Sequence, residues 1–381
     1  MNLVLDYGSM KERYEISRYP TIGEGRKRAY NQLMRETSNV FLGRAVDYLD
    51  VSATTLSFGE IVNEISKRKL VDGFETRAYF LRACYEVAGE TDWEHRLKNT
   101  GASIEILLAS MYHNNRIVDR KHNTDSPQAM GQEAIAEGFN AFAALSLLNQ
   151  STSLTLEEKN YITVVLTNAG MACMEGQFLD SSCLTYKQNE ELPSFEQIEK
   201  RNHLVNAVFY EAIADVACRL SELYGKKRTA LITFGRYFGI AQQIVNDIAD
   251  FIPELGGLPT DEKLPSDAYA DFRNGRITMP IWLALDRLQG EERMWFIERL
   301  EKGDLSTADS DRLTRLLWNS GIIREAQKIA QRYADKAKEA ISSYPESERL
   351  PFSELLVVTR TNRYYRALRD FARTNSVSLG V

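Results

Sequence analysis

Cysteine is scarce in this chain: Cys84, Cys173, Cys183 and Cys218 are the four among 381 residues, and no two form a CxxC pair. That spacing argues against a zinc framework or a disulfide scaffold and favours reduced, buried thiols in a cytosolic protein. Histidine is as rare, and His95, His113, His122 and His203 show no metal-ligand spacing. No run of about 18 apolar residues occurs, so no segment is expected to span a membrane. The start, MNLVLDYGSMKERYE, lacks a basic stretch followed by an apolar core, so no signal peptide is expected. A basic excess is missing too. With 47 Lys and Arg against 53 Asp and Glu, the net charge of -6 leaves no nucleic-acid footprint. Arg26-Lys27-Arg28 and Lys226-Lys227-Arg228 are read as solvated faces or turns. There is no Gly-rich phosphate loop after a strand, no Ser-His-Asp order and no HExxH. The expectation is a soluble cytoplasmic protein.

What is present is helical periodicity. Hydrophobic residues make up 44% and charged residues 26%, ordinary for a globular chain long enough to bury a large core. Residues 1–55 are polar and mixed and are read as an amino-terminal arm or short helices. Residues 56–381 are read as one all-α domain with about ten or more core helices. Helices are expected over 75–88, 100–119, 134–148, 156–179, 194–224, 276–288, 309–344 and 353–374. The 134–148 segment, almost all small or apolar, is expected to be central. Loops are expected at 123–130, around Pro127, and at 252–271, rich in Pro, Gly and Asp. Trp282, Trp295 and Trp318 are read as core residues.

The stretch 235–250, GRYFGIAQQIVNDIAD, breaks an apolar helical beat with Asn246, Asp247 and Asp250. Charge is costly inside a buried helix unless compensated. Asn246 and Asp250 stand one turn apart on one face, a spacing that can share a hard cation such as Mg²⁺. A solvated polar helix end would explain the same residues.

Several segments, in order, resemble the trans-type isoprenyl diphosphate synthases, or polyprenyl synthetases. The 235–250 stretch is similar to the family pattern G-x-x-x-G-x-A-[FY]-Q-I-x-D-D-x-x-D, with Asn246 at the first aspartate and Gln242 at the aromatic. Asp271 opens DFRNGRITMP, similar to D-[FIL]-x-x-G-K-x-T-x-P, with Arg276 for lysine. Gly176, Gln177 and Asp180 resemble G-Q-x-x-D. Lys200 and Leu204 resemble K-T-x-x-L, with Arg201 for threonine. The Ala-rich segment 320–345 resembles the penultimate helix.

The resemblance implies an isoprenoid-synthase helical bundle in which two facing helices clamp the diphosphate of an allylic prenyl substrate through Mg²⁺ or Mn²⁺. It implies metal binding by Asn246, Asp247 and Asp250, with Asp119 or Asn115 on the opposite helix. It implies Lys200, Gln243 and Asp247 as catalytic residues, and Arg77, Arg116, Lys200 and Arg276 against the diphosphate. Family members usually pair, so a homodimer, or a heterodimer with an active synthase, is implied.

Two departures bear on function. The helix EILLASMYHNNRIVDR stands where the family has E-L-x-H-x-x-S-L-x-H-D-D-x-x-D. One register puts Asn115, Arg116 and Asp119 at the aspartates; another puts Asn114, Asn115 and Val118 there. Arginine repels a metal ion and can instead contact diphosphate directly. The family's G-G-K-R-x-R-P becomes residues 72–78, which keep only Arg77 of three cations and gain Glu75. Asn246, Asp250 and Glu254 also resemble the N-x-x-x-[ST]-x-x-x-E triad of terpene cyclases. The expectation is a diverged enzyme that ionises an allylic prenyl diphosphate, then prenylates a non-standard acceptor or cyclises. The rivals are a catalytically silent subunit and a standard chain-elongating synthase.

Overall fold

The computed structural model describes residues 24–53, 75–118, 126–188, 191–251, 269–349 and 351–352. Among them are 13 α-helices and no strand beyond one antiparallel bridge between Thr185 and Arg276. The fold is all-α. In chain order the helices are α1 (Glu24–Ala53), α2 (Glu75–Glu86), α3 (Trp93–Val118), α4 (Pro127–Asn149) and α5 (Leu156–Phe178). They continue with α6 (Phe195–Asn202), α7 (Val208–Leu220), α8 (Gly225–Ala249), α9 (Ala270–Arg273) and α10 (Met279–Arg287). The series ends with α11 (Gly290–Lys302), α12 (Thr307–Asn319) and α13 (Ile322–Ala340). No described helix is long and apolar enough to cross a membrane.

Local signals explain several helix starts. Thr155, Ser194 and Ser306 each close a capping box that satisfies two orphan amides at the head of α5, α6 and α12. Pro127, expected to break the pattern, opens α4 at its first helical position, where its missing N–H costs nothing. Ser126 caps that start by accepting from Ala129 N at 3.1 Å. The last helix expected, 353–374, lies outside the described residues, and α11 has no counterpart among the expected helices.

α8 runs through the centre, with α7 and α13 packed along it. Two glycines set how closely it approaches α7. A Cβ on Gly235 would lie 2.7 Å from Tyr210 O, and one on Gly239 would lie 2.4 Å from Ala207 Cα. Phe80, Phe234, Phe238 and Tyr210 fill the space beyond with ring centroids 4.9–6.3 Å apart. α4 is less central than its composition suggests. It packs mainly along α3, burying Ala136, Ala143, Ala144, Leu147 and Leu148, while Ile135 and Phe142 are 61% and 77% exposed.

The boundary expected near residue 55 falls outside the described residues. α1, within the expected arm, packs on α2 and α3, with Met34, Phe41, Ala45, Tyr48 and Leu49 in the common core. Phe41 lies over Gly101, whose missing Cβ would be 2.4 Å from the ring. Phe41→Ala is therefore expected to lower the unfolding free energy by about 3–5 kcal/mol, the usual loss for a buried phenyl ring. Urea unfolding measures this, and a loss under about 1 kcal/mol would mean that α1 is only loosely attached.

Candidate active site

The polar residues of α8 begin one turn beyond the glycine contact. Asn206 Nδ2 donates to Gly239 O at 2.8 Å and anchors α8 to the segment before α7. Asp247, 1% exposed, faces inward from the next turn. Both of its carboxylate oxygens accept from Arg201 Nη1, at 2.8 and 2.7 Å, and one accepts from Gln243 Nε2 at 2.8 Å. Arg201 Nε donates to Asp180 at 2.7 Å. One guanidinium thus joins carboxylates from two different elements.

Both ends of that link sit beside widened helix. Asp180 lies in a π-helical turn, Leu179–Cys183, that follows α5. Arg201 stands just before a second one, His203–Ala207. Such turns are uncommon and occur often at functional sites. Here they mark where a helix shifts register to turn a polar side chain inward.

A second guanidinium completes the cluster. Arg276 Nη1 is 3.2 Å from Asp180 and 3.6 Å from Asp271, and its Nη2 donates to Val118 O, 3.3 Å away at the carboxyl end of α3. The backbone holds it there: Tyr186 N donates to Gly275 O and Ile277 N to Leu184 O, both at 2.8 Å. Asp250 caps α9, accepting from Ala270 N at 3.2 Å and Asp271 N at 3.1 Å. Asp271 is thereby drawn beside Asp250. Burial and the neighbouring Asp250 charge push the Asp271 carboxyl well above the usual range, against the pull of Arg276.

Lys200 is not part of this cluster. It is 58% exposed and pairs with Glu175 at 3.0 Å, while its neighbour Arg201 turns inward. Arg77 Nη2 donates to Asn206 Oδ1 at 2.7 Å, and its guanidinium lies over the Tyr210 ring. On α3, Arg116 is 3.3 Å from Glu133 of α4. The fully buried His113 shares Glu133, with Nδ1 2.5 Å from the carboxylate. Asn114 donates to Glu137 at 2.9 Å, and Asn115 is half-buried. Asp119, Glu254 and residues 72–74 lie outside the described residues. Three members, Arg201, Asp180 and Asp271, were visible only as letters within motifs.

The donor set fits a metal ion at one end only. At Asp247 the Arg201 guanidinium already lies against both oxygens. Asn246 and Asp250 are partly exposed and offer hard oxygens one turn apart, with Asp271 adjacent. There, excess carboxylate charge favours a cation. Among the described residues no three His, Cys, Asp or Glu side chains converge as a metal cage. Mg²⁺ suits such a site, because it binds readily through one or two carboxylates and completes its shell with substrate phosphates.

A model of the polyprenyl synthetase family matches residues 59–317. The chain belongs to the polyprenyl synthetase family. Among solved structures, a polyprenyl synthase from Caulobacter crescentus, complexed with calcium and isoprenyl diphosphate, superposes with a TM-score of 0.71 at 21% identity. That match covers 87% of this chain and 97% of the other. The geranylgeranyl pyrophosphate synthase of Corynebacterium glutamicum, complexed with isoprenyl diphosphate and magnesium, gives 0.71 at 17% identity, covering 85% and 99%. These are all-α bundles of the isoprenoid-synthase fold, as the sequence implies. Solanesyl diphosphate synthase 2 of Arabidopsis thaliana is 25% identical over 276 residues, 70% of this chain and 60% of that protein. A probable hexaprenyl pyrophosphate synthase of Neurospora crassa is 27% identical over 180 residues, 46% of this chain and 37% of its own length. The chain thus spans less than two thirds of either of these curated relatives.

One buried acid stands apart from the cluster. Glu105 on α3 is fully buried, and neither carboxylate oxygen has a hydrogen-bond partner. Burial raises its pKa to about 8, against the opposing charge of Arg77. Because the folded value lies above the unfolded one, folded Glu105 keeps a proton that the unfolded chain has released. Its contribution to stability is therefore full below about pH 4.5 and is lost as pH rises through about 8. Glu105→Gln should flatten that decline by a few kcal/mol, read from urea unfolding at pH 5 and pH 8.5. Parallel pH profiles for the two proteins would contradict a raised Glu105.

Proposed function

We propose that this chain is a prenyltransferase that binds an allylic prenyl diphosphate with Mg²⁺, ionises it and transfers the prenyl group. The observation that carries this reading is the convergence of Asp180, Asp247, Asp250, Asp271, Arg201 and Arg276 in one cluster, which Arg276 joins to the carboxyl end of α3. Diphosphate leaves only when its developing charge is neutralised. Asn246 and Asp250, with Asp271 beside them, would hold the metal ion, which supplies positive charge to the departing diphosphate. Arg276, tethered to Asp180 and to Val118 O, presents a fixed guanidinium beside the same anion. Gln243 and Arg201 hold Asp247 in place.

The acceptor reading rests on the amino-terminal half. Arg77 is the one cation kept from the family's isopentenyl diphosphate pattern, and it is committed to Asn206 and Tyr210. This supports transfer to another acceptor, or cyclisation, over elongation. The relatives above are named as polyprenyl synthases, which makes elongation the competing outcome. A second reading, a catalytically silent subunit, is favoured by the engagement of Asp247 with Arg201. The cysteine usage keeps a cytoplasmic location as part of the proposal.

Pairing with a second copy is part of the same reading. Ile135 and Phe142 on α4 and Val164, Met171, Met174 and Phe178 on α5 are 43–77% exposed. Large apolar side chains at these spacings form stripes that a partner would cover. Phe142→Glu with Met171→Glu is expected to convert a dimer to a monomer in light scattering; an unchanged mass would move the interface elsewhere.

Diphosphate release from geranyl, farnesyl and geranylgeranyl diphosphate tests the catalytic reading. Release is expected to require Mg²⁺ and to fall at least about 100-fold in Asp250→Ala. Products formed with and without isopentenyl diphosphate separate elongation from other fates. No release from any of the three, together with co-purification with an active synthase, would favour the silent subunit.

A further inference from the structure

Arg201 stands at a motif position where the family pattern has threonine, and it holds one of the most enclosed positive charges in the site. Its side chain is 3% exposed. It contacts both oxygens of Asp247, reaches Asp180 through Nε, and also donates to Asn202 Oδ1 at 2.8 Å. A guanidinium in this arrangement is a strong, geometrically fixed partner for a carboxylate. A divalent ion brought to Asp247 would meet that positive charge at contact distance.

The backbone around Arg201 is shaped for the contact. The π-turn at His203–Ala207 follows immediately, and the preceding residue, Lys200, points to solvent toward Glu175. At the other end of the link, Asp180 is brought inward by its own π-turn and is 4% exposed. The remaining acids, Asp250 and Asp271, lie together at the far end of the cluster, where Arg201 does not touch them. Cation sites along α8 are therefore divided. Asp247 faces a cation that belongs to the chain itself, and exchangeable ions are assigned to the Asn246–Asp250 end.

We propose that Arg201 is a resident cation of the diphosphate site, filling the place beside Asp247 where a divalent ion would otherwise bind. The site then loads with fewer metal ions, all at the Asn246–Asp250 end. This rests on the reading of the cluster as a prenyl diphosphate site. It assigns Arg201 a positioning role: it fixes Asp247 and sets the number of ions that accompany the substrate.

The test is a count of Mn²⁺ bound per chain, by electron paramagnetic resonance on the full-length protein, with and without farnesyl thiolodiphosphate as an unreactive probe. Asp247→Asn is expected to bind as many Mn²⁺ ions as the wild type. Arg201→Thr is expected to gain at least one Mn²⁺ per chain, and adding Asp247→Asn to it should remove the gain. Loss of an ion in Asp247→Asn, or no gain in a folded Arg201→Thr, overturns the proposal. If Arg201→Thr fails to fold, because Asp247 is left buried without its cation, Asp247→Asn decides alone. Calorimetry follows the probe separately. Failure of the probe to bind the wild type overturns the substrate reading, while the Mn²⁺ counts without it still decide the role of Arg201.

Discussion

A carboxylate cannot be enclosed by apolar helices unless something carries its charge. In this bundle that burden falls on the Arg201 guanidinium between Asp180 and Asp247. Both acids and the arginine are at most 4% exposed. Removing one partner from such a link typically costs about 3–5 kcal/mol, because the other is left charged and dry. The surrounding structure follows from that constraint. The Thr185–Arg276 bridge brings a second guanidinium to Asp180, and Asp250 turns outward to cap α9, which draws Asp271 alongside. The two π-turns let helical segments deliver Asp180 and Arg201 to one point.

The two helices expected to clamp a diphosphate have become unequal. α8 sets Asp247 against Arg201 from elsewhere in the chain, and Asp250 caps α9. On α3, Arg116 pairs with Glu133 of α4, beside the buried His113. The amino-terminal half of the site is thus held by contacts between neighbouring helices. The carboxyl-terminal half is held by contacts between segments far apart in sequence. Arg276, through Val118 O, and Arg77, through Asn206, join the two halves.

Much of this was legible in the sequence, because helical periodicity and the motif order both depend on local spacing. The all-α fold and the helical course of the α8 motif follow from such spacing. What was not legible depends on register and on contacts across the bundle. Lys200 and Arg201 are adjacent letters, and which one turns inward depends on how α6 packs across the bundle. α4 reads as central from its small, apolar residues, yet Phe142 faces out because α3 covers only one side. α1 reads as polar, yet Met34, Phe41, Ala45, Tyr48 and Leu49 seat it in the core, with the Phe41 ring over Gly101.

The π-turn after Arg201 has an evolutionary reading. A helix widened by one residue is what remains when an insertion is absorbed without disturbing the flanking helices. Deleting one residue between Asn202 and Val208 is the converse change, returning the segment to ordinary helical winding while the flanking helices keep their places. Arg201 would then keep its station, because it lies in α6, ahead of the widened turn. The charge at the heart of this fold is therefore insulated from the length of the segment beside it, where one residue more or less is taken up by the winding of the backbone.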